Sequence, residues 1–125
     1  MTARTPWRLA PAVAAGGALG AAARYGVSLA WPTPPHGFPW ATLAVNVSGC
    51  LAIGLLLGVD RDPRVRAFLG TGVLGGYTTF STYAVESNEL WRADRLWVAV
   101  AYTLVTLVAA LAAAWLGGLA VRRRP

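Results

Sequence analysis

Residues Leu96 to Leu119 read LWVAVAYTLVTLVAALAAAWLGGL, 24 residues without a charged side chain. About 20 mostly apolar residues suffice for a helix to cross the hydrocarbon core of a bilayer. Arg122-Arg-Arg124 follows directly, and a positive flank is the ordinary mark of a membrane span. This stretch sets the terms for the rest of the chain.

Composition agrees with it. The 125 residues are 56% hydrophobic and only 13% charged, with a mean hydropathy of +0.51. Soluble domains carry about 25% charged residues, and a fold this small cannot hide so much apolar surface from water. Disorder is excluded too, because disordered chains are rich in charge and poor in apolar residues. Four spans with short connections would consume nearly the whole chain, leaving no soluble catalytic domain. The net charge of +6 does not indicate nucleic acid. All eleven basic residues are Arg, and ten lie at the ends of apolar segments rather than on one polar face. The single Cys50 sits within an apolar run and reads as a small packing residue.

The expected fold is an all-α integral membrane protein, one membrane domain over residues 1–125, with spans at about 9–31, 40–58, 67–88 and 96–119. The first segment, with Arg4 and Arg8 before it and Ala12-Val-Ala14 within it, has the outline of a signal peptide. Its apolar run continues well beyond that site, so a retained span is expected. Pro32, Pro34, Pro35, His36, Gly37 and Pro39 make an uncharged turn, and Asp60 to Arg66 a short charged loop. The third segment is the odd one: Gly70, Gly72, Gly75 and Gly76 precede Thr78-Thr-Phe-Ser-Thr82. Such a composition predicts a broken helix, tolerated in membranes only where protein or a wet cavity covers the backbone. Trp31, Trp40, Trp91 and Trp97 fall at segment ends, as an interfacial belt does. Small-xxx-small pairs at Gly16/Gly20, Gly54/Gly58 and Gly72/Gly76 permit close helix contact. With the N-terminus cytoplasmic, eight Arg fall inside (Arg4, Arg8, Arg61, Arg64, Arg66 and the C-terminal three) against Arg92 and Arg95 outside. That count places both termini in the cytoplasm.

Polar groups inside the spans are the functional candidates. Arg24 lies about two thirds along the first segment; it either snorkels to the interface or serves a wet vestibule that attracts an anion. Asn46 is in mid-segment one turn after Thr42, on one face of the second helix. It suits either an interhelical hydrogen bond or a pathway lining. Tyr102 and Thr106 repeat that spacing on the fourth helix. Glu86 is a membrane acid or a solvated helix end, and His36 a surface residue. Across Gly75 to Tyr83, glycines let the backbone unwind, and freed carbonyls suit a hard cation such as Na⁺. Phe80 and Tyr83 offer electropositive ring edges, and Ser81 and Thr82 offer hydroxyl donors.

Together these features resemble the small fluoride channels of the Fluc (CrcB) family, over essentially the whole chain. Gly16-Gly-Ala-Leu-Gly-Ala-Ala-Ala-Arg24 resembles the family's first-helix run ending in Arg. Ala41-Thr-Leu-Ala-Val-Asn-Val-Ser-Gly49 resembles its second-helix pattern, with Ala41 in place of Gly. Gly75-Gly-Tyr-Thr-Thr-Phe-Ser-Thr-Tyr83 resembles the third-helix signature, with Tyr83 where Phe is usual. The resemblance implies an antiparallel, dual-topology dimer with two fluoride pathways and a central structural Na⁺. The Gly75 and Thr78 carbonyls would hold the ion. Asn46, Phe80, Ser81, Thr82, Tyr83, Tyr102 and Thr106 would line the fluoride route, with Arg24 in the vestibule and Glu86 as a nearby acid. Expected partners are fluoride, membrane lipid and a second copy or a homologous chain, not nucleic acid. The expected location is the plasma membrane of a prokaryote, crossed several times. The eight-to-two Arg count departs from the even balance of a chain that inserts both ways, and keeps a heterodimer in play.

A bare small anion costs tens of kcal/mol to bury in low dielectric, so many weak donors must replace its water without trapping it. No nucleotide motif is present, so transport is expected to be passive. A small multidrug exporter needs a carboxylate in the first helix, where this chain has Arg24. A merely structural membrane protein gives no reason for the Thr/Phe/Ser/Tyr run or for Asn46. An enzyme is least favoured, because one His and one Cys assemble no catalytic or metal-ligand set.

Overall fold

The computed structural model of the chain describes residues 7–59 and 62–122. Arg4, Asp60, Arg61, Arg123 and Arg124 lie outside the described residues. Among those described, every regular element is helical. Helix α1 is Ala10–Ala30, entered through a 3₁₀ turn at Trp7–Leu9, and α2 is Trp40–Val59. Helix α3 covers 63–77 in three parts: a turn at Pro63–Val65, a π-helical stretch at Arg66–Leu74 and a last turn at Gly75–Tyr77. Helix α4 is Ser81–Arg92 and α5 is Leu96–Arg122. The four helical units are thus α1, α2, α3 with α4, and α5. Of these, α2 and α5 are long and apolar enough to cross a membrane by length and composition.

Local chemistry sets the boundaries. The Asp62 carboxylate accepts the Arg64 backbone N–H at 2.9 Å, and Pro63 occupies the first turn, so α3 starts with a side-chain cap and no wasted donor. Helix α1 stops at Trp31, just before Pro32, because proline disfavours helical backbone in the residue preceding it. The connection that follows is pinned by Gly37 N–H donating to the Pro34 carbonyl at 2.9 Å.

Glycine contacts then assemble the rods in two pairs, α1 with α3 and α2 with α5, and α4 lies on α5. A β-carbon added at Gly20 would overlap the Val73 carbonyl, and one at Gly76 would overlap the carbonyl of Gly17. In the other pair, Gly54 abuts the Ala114 carbonyl and Gly58 abuts Val121. Residue numbers rise together along each seam, so both pairs run parallel. The Gly16/Gly20 motif therefore mates with Gly72/Gly76, whereas Gly54/Gly58 mates with the end of α5.

The buried cluster is small: Leu43, Leu90, Ala99 and Tyr102, with Phe38, Val47, Tyr83 and Val98 packed on it. The outer side of α5 is bare, with Val108 67% and Leu111 70% exposed. A helix apolar all round with such a surface is suited to an apolar surrounding, not to water. Trp31, Trp40, Trp91 and Trp97 are all exposed and share one end of the bundle. Arg8, Arg64, Arg66 and Arg122 are at the other.

Candidate functional site

The site is built on the interruption between α3 and α4. Tyr77 is the last residue of α3; Thr78 is extended (φ −76°, ψ 155°), and α4 begins at Ser81. Asn46, 93% buried on α2, holds this segment through its side-chain amide. Its Nδ2 donates to the Thr79 carbonyl at 3.0 Å, and its Oδ1 accepts the Thr79 N–H at 2.8 Å. The amide thus does for one peptide unit what a helix would otherwise do. Thr79 Oγ1 in turn accepts the Thr82 N–H at 3.1 Å and caps α4. Gly49 lets α2 approach, since a β-carbon there would overlap the Thr78 methyl group.

These bonds have an electrostatic consequence. In a continuous α-helix the Thr79 N–H would go to the Gly75 carbonyl and the Thr82 N–H to that of Thr78. Both donors are diverted to side chains, so the Gly75 and Thr78 carbonyls lose their helical partners. The neighbouring carbonyls are engaged: that of Leu74 accepts Thr78 N–H at 3.0 Å and Thr78 Oγ1 at 2.9 Å. That of Gly76 accepts Arg24 Nε at 3.2 Å. Arg24 therefore sets a positive charge at the C-terminal end of α3, where the helix dipole favours it. It also lines a cavity of about 170 Å³ with Tyr25, Ser28, Thr42, Thr79 and Thr82.

An aromatic line leaves the interruption along α4. Phe80 is 79% exposed, and its ring centroid is 5.9 Å from that of Tyr83. Tyr83 is 5.2 Å from Tyr102, which meets Phe38 edge-on at 5.4 Å. Tyr102 is fully enclosed, and its hydroxyl donates to Glu86 Oε1 over a long 3.4 Å. Thr42 adjoins both groups. One turn along α5, the Thr106 hydroxyl is buried with no hydrogen-bond partner among the described residues. A buried hydroxyl left so costs about 1–3 kcal/mol. The arrangement supplies hydroxyls and ring edges in sequence, with no full positive charge among the described residues between Phe80 and Thr106. Among the described residues no three His, Cys, Asp or Glu side chains gather as a metal site. A cation here would depend on backbone oxygens.

The structure thus brings Asn46, Gly75, Thr78, Thr82 and Arg24 to the interruption, and Phe80, Tyr83, Tyr102 and Thr106 to the line. Ser81 is exposed, with Oγ 3.4 Å from that of Thr79. Arg24 points at protein backbone as well as into a cavity, and Asn46 serves as an interhelical clamp. Among the described residues, half of the Asn46 hydrogen-bonding capacity is uncommitted: one amide hydrogen and one oxygen lone pair. Two contributors escaped the sequence reading. Thr79 stands three residues before Thr82, the spacing of an N-cap, which would have marked it. Phe38, inside the proline-rich turn, gave no signal.

Residues 11–118 match the family described as CrcB-like protein, Camphor Resistance (CrcB). The chain is 53% identical to the fluoride-specific ion channel FluC 1 of Streptomyces coelicolor, across 96% of this chain and 84% of that protein. It is 47% identical to FluC 2 of Nocardia farcinica, across 89% and 83%, and 46% identical to FluC of Paracoccus denitrificans, across 89% and 91%. Both of those relatives are also named fluoride-specific ion channels.

Proposed function

This chain belongs to the CrcB-like family, a family of membrane ion channels and not of enzymes, and on that premise we propose that it is a passive, fluoride-selective channel. It exports F⁻ from the cytoplasm and relieves fluoride toxicity. Weakly acidic HF enters from an acidic exterior and ionises, and the membrane potential drives the anion out. The protein spans the plasma membrane of a prokaryote four times, with α3 and α4 as one broken span, and works as an antiparallel dimer.

The observation that carries this reading is the line of weak donors from the interruption to Thr106. Fluoride gives up strong hydration, and only many partial donors can replace it without holding the ion. The ring edges of Phe80 and Tyr83, the hydroxyls of Ser81, Thr82, Tyr102 and Thr106, and the spare Asn46 N–H meet that requirement. Exposed Phe80 needs a cover, and a second copy provides it. The orphaned Thr106 hydroxyl is free to donate to a passing anion.

A structural Na⁺ fits the same site. Gly75 and Thr78 each present a carbonyl relieved of its helical donor, and unwound backbone oxygens are the ligands such an ion takes. The same pair from a second copy would complete the set. The ion would supply a fixed positive charge that holds the two interruptions together.

The test is F⁻ efflux from liposomes containing this chain alone, read with a fluoride electrode, with chloride as control. Fast F⁻ release without Cl⁻ release is the expected result, and Phe80→Ile should abolish it while leaving the dimer assembled. Undiminished flux in Phe80→Ile removes that ring from the pathway. A second reading rests on the Arg count: a chain fixed in one orientation needs a homologue of opposite orientation. It predicts silence alone and flux after co-reconstitution with that homologue.

A further inference from the structure

Helix α2 meets the interruption at a second point. Tyr77, the last residue of α3, lays its ring over Gly49, where an added β-carbon would come within 3.2 Å of Tyr77 Cδ1. Its hydroxyl lies 3.0 Å from that of Ser48. Ser48 Oγ is also 3.1 Å from the Val45 carbonyl, which can only accept. One hydroxyl hydrogen serves one acceptor here, so Ser48 donates to Val45 and Tyr77 donates to Ser48. The bonds run from Tyr77 through Ser48 and end on the backbone of α2. Neither residue belongs to the line of donors or to the Gly75 and Thr78 carbonyl pair.

What lies between the two points gives them a use. Asn46 holds Thr79 and Ser48 holds Tyr77, so Thr78 is tied to α2 on both sides. The Thr78 carbonyl and the Thr79 N–H share one planar, trans peptide unit, in which they point in opposite directions. The Thr79 N–H points at Asn46 Oδ1 over 2.8 Å, so the Thr78 carbonyl points away from that amide. One tie leaves the peptide plane free to swing about it. A second tie, on the residue before Thr78, removes that freedom. Thr78 is extended at ψ 155°, and its carbonyl has no helical donor to fix its direction. Side chains must do so.

We propose that Tyr77 and Ser48 are positioning residues for the backbone cation site, and that their hydroxyl bond holds the Thr78 carbonyl in the direction in which it meets Na⁺. This rests on the Na⁺ reading above, and the experiment separates the two. Apparent affinity falls with the fraction of molecules in the competent conformation, so a loosened carbonyl weakens Na⁺ binding without abolishing it. The melting temperature of the full chain in detergent is followed against Na⁺ concentration, with a bulky organic cation keeping the ionic strength constant. Tyr77→Phe should raise the half-stabilising Na⁺ concentration about three- to tenfold, the net worth of one hydrogen bond. Ser48→Ala should do the same, and Ser48→Thr, which keeps the hydroxyl, should stay at the native value. Tyr77→Phe combined with Ser48→Ala should be no weaker than either alone, because both break one bond. A bond that only stabilises the fold would lower the melting temperature at every Na⁺ concentration and leave the midpoint in place; that result overturns the proposal. Midpoint shifts that add in the combined variant overturn it too, since they trace to packing and not to a shared bond. A native chain whose melting temperature ignores Na⁺ defeats the cation reading itself, and the positioning role falls with it.

Discussion

Replacing Asn46 by leucine, nearly its equal in shape, strips the Thr79 peptide of both partners at once. The amide gives one bond at 3.0 Å and takes one at 2.8 Å, so the substitution orphans a backbone carbonyl and a backbone N–H. Side-chain hydrogen bonds between membrane helices average only about 0.6 kcal/mol, with a ceiling near 1.7, because the separated helices find other partners. That discount is weak here, since Thr79 sits between two helices and has no turn of its own to fall back on. An orphaned buried polar group costs about 1–3 kcal/mol, and we expect a loss of about 2–4 kcal/mol for the pair. At 1.4 kcal/mol per tenfold, that is a shift in the unfolding constant of roughly 30- to 700-fold. Unfolding in mixed micelles titrated with a denaturing detergent measures it, and fluoride efflux from the same preparation reports the site. Asn46→Asp keeps an acceptor for Thr79 N–H but sets a carboxylate oxygen against the Thr79 carbonyl at a buried position, so it should lose at least as much as Asn46→Leu. Asn46→Leu within about 0.5 kcal/mol of the native chain, with efflux intact, would refute the clamp.

Other substitutions probe separate links. Gly20→Ala should cost about 3 kcal/mol in the same titration, because its β-carbon meets the Val73 carbonyl and backbone has little room to give. Gly118→Ala has nothing within 4 Å and should change stability by less than about 0.5 kcal/mol. Thr106→Val removes a buried unpaired hydroxyl and should leave stability equal or raise it by about 1 kcal/mol, while fluoride efflux falls about tenfold. Efflux unchanged in Thr106→Val would make that residue packing alone. Exchanging Na⁺ for a bulky organic cation should lower the melting temperature by several degrees and recover it on Na⁺ titration, as a ligand bound only to the folded state requires.

Much of this was legible in the sequence for a simple reason: apolar length needs no partner to be recognised. Helices α2 and α5 announce themselves by uncharged runs, and Pro32 with its neighbours marks where α1 must stop. The interruption after Tyr77 was signalled by glycines and hydroxyl residues that a smooth helix avoids. What pins it was not legible. Asn46 and Thr79 are 33 residues apart, and helical spacing speaks only of neighbours on one helix. The same limit hid the mating of glycine seams: three motifs were visible, but not that Gly16/Gly20 would meet Gly72/Gly76. The π-helical stretch at Arg66–Leu74 also left no compositional trace. Arg24 shows the gap between type and contact. A cation within the first span was evident, its grip on the Gly76 carbonyl was not.

The parallel seams have a bearing on how the protein is made. Neighbouring elements usually pair as they emerge, yet here each rod is matched with the one after next. When Val59 leaves the ribosome, the surface against which Gly54 and Gly58 fit does not yet exist, and Arg122 follows roughly 3–13 s later at ordinary synthesis rates. For that interval α2 stands in the bilayer with its Gly54/Gly58 groove empty, although Thr79, the partner of Asn46, has emerged well before α5 is complete. Final assembly is therefore a late event, completed only after the last helix has been threaded. A ribosome that stalls before α5 leaves α2 held on its Gly49 side by the α3–α4 interruption but without the helix that Gly54 and Gly58 seat.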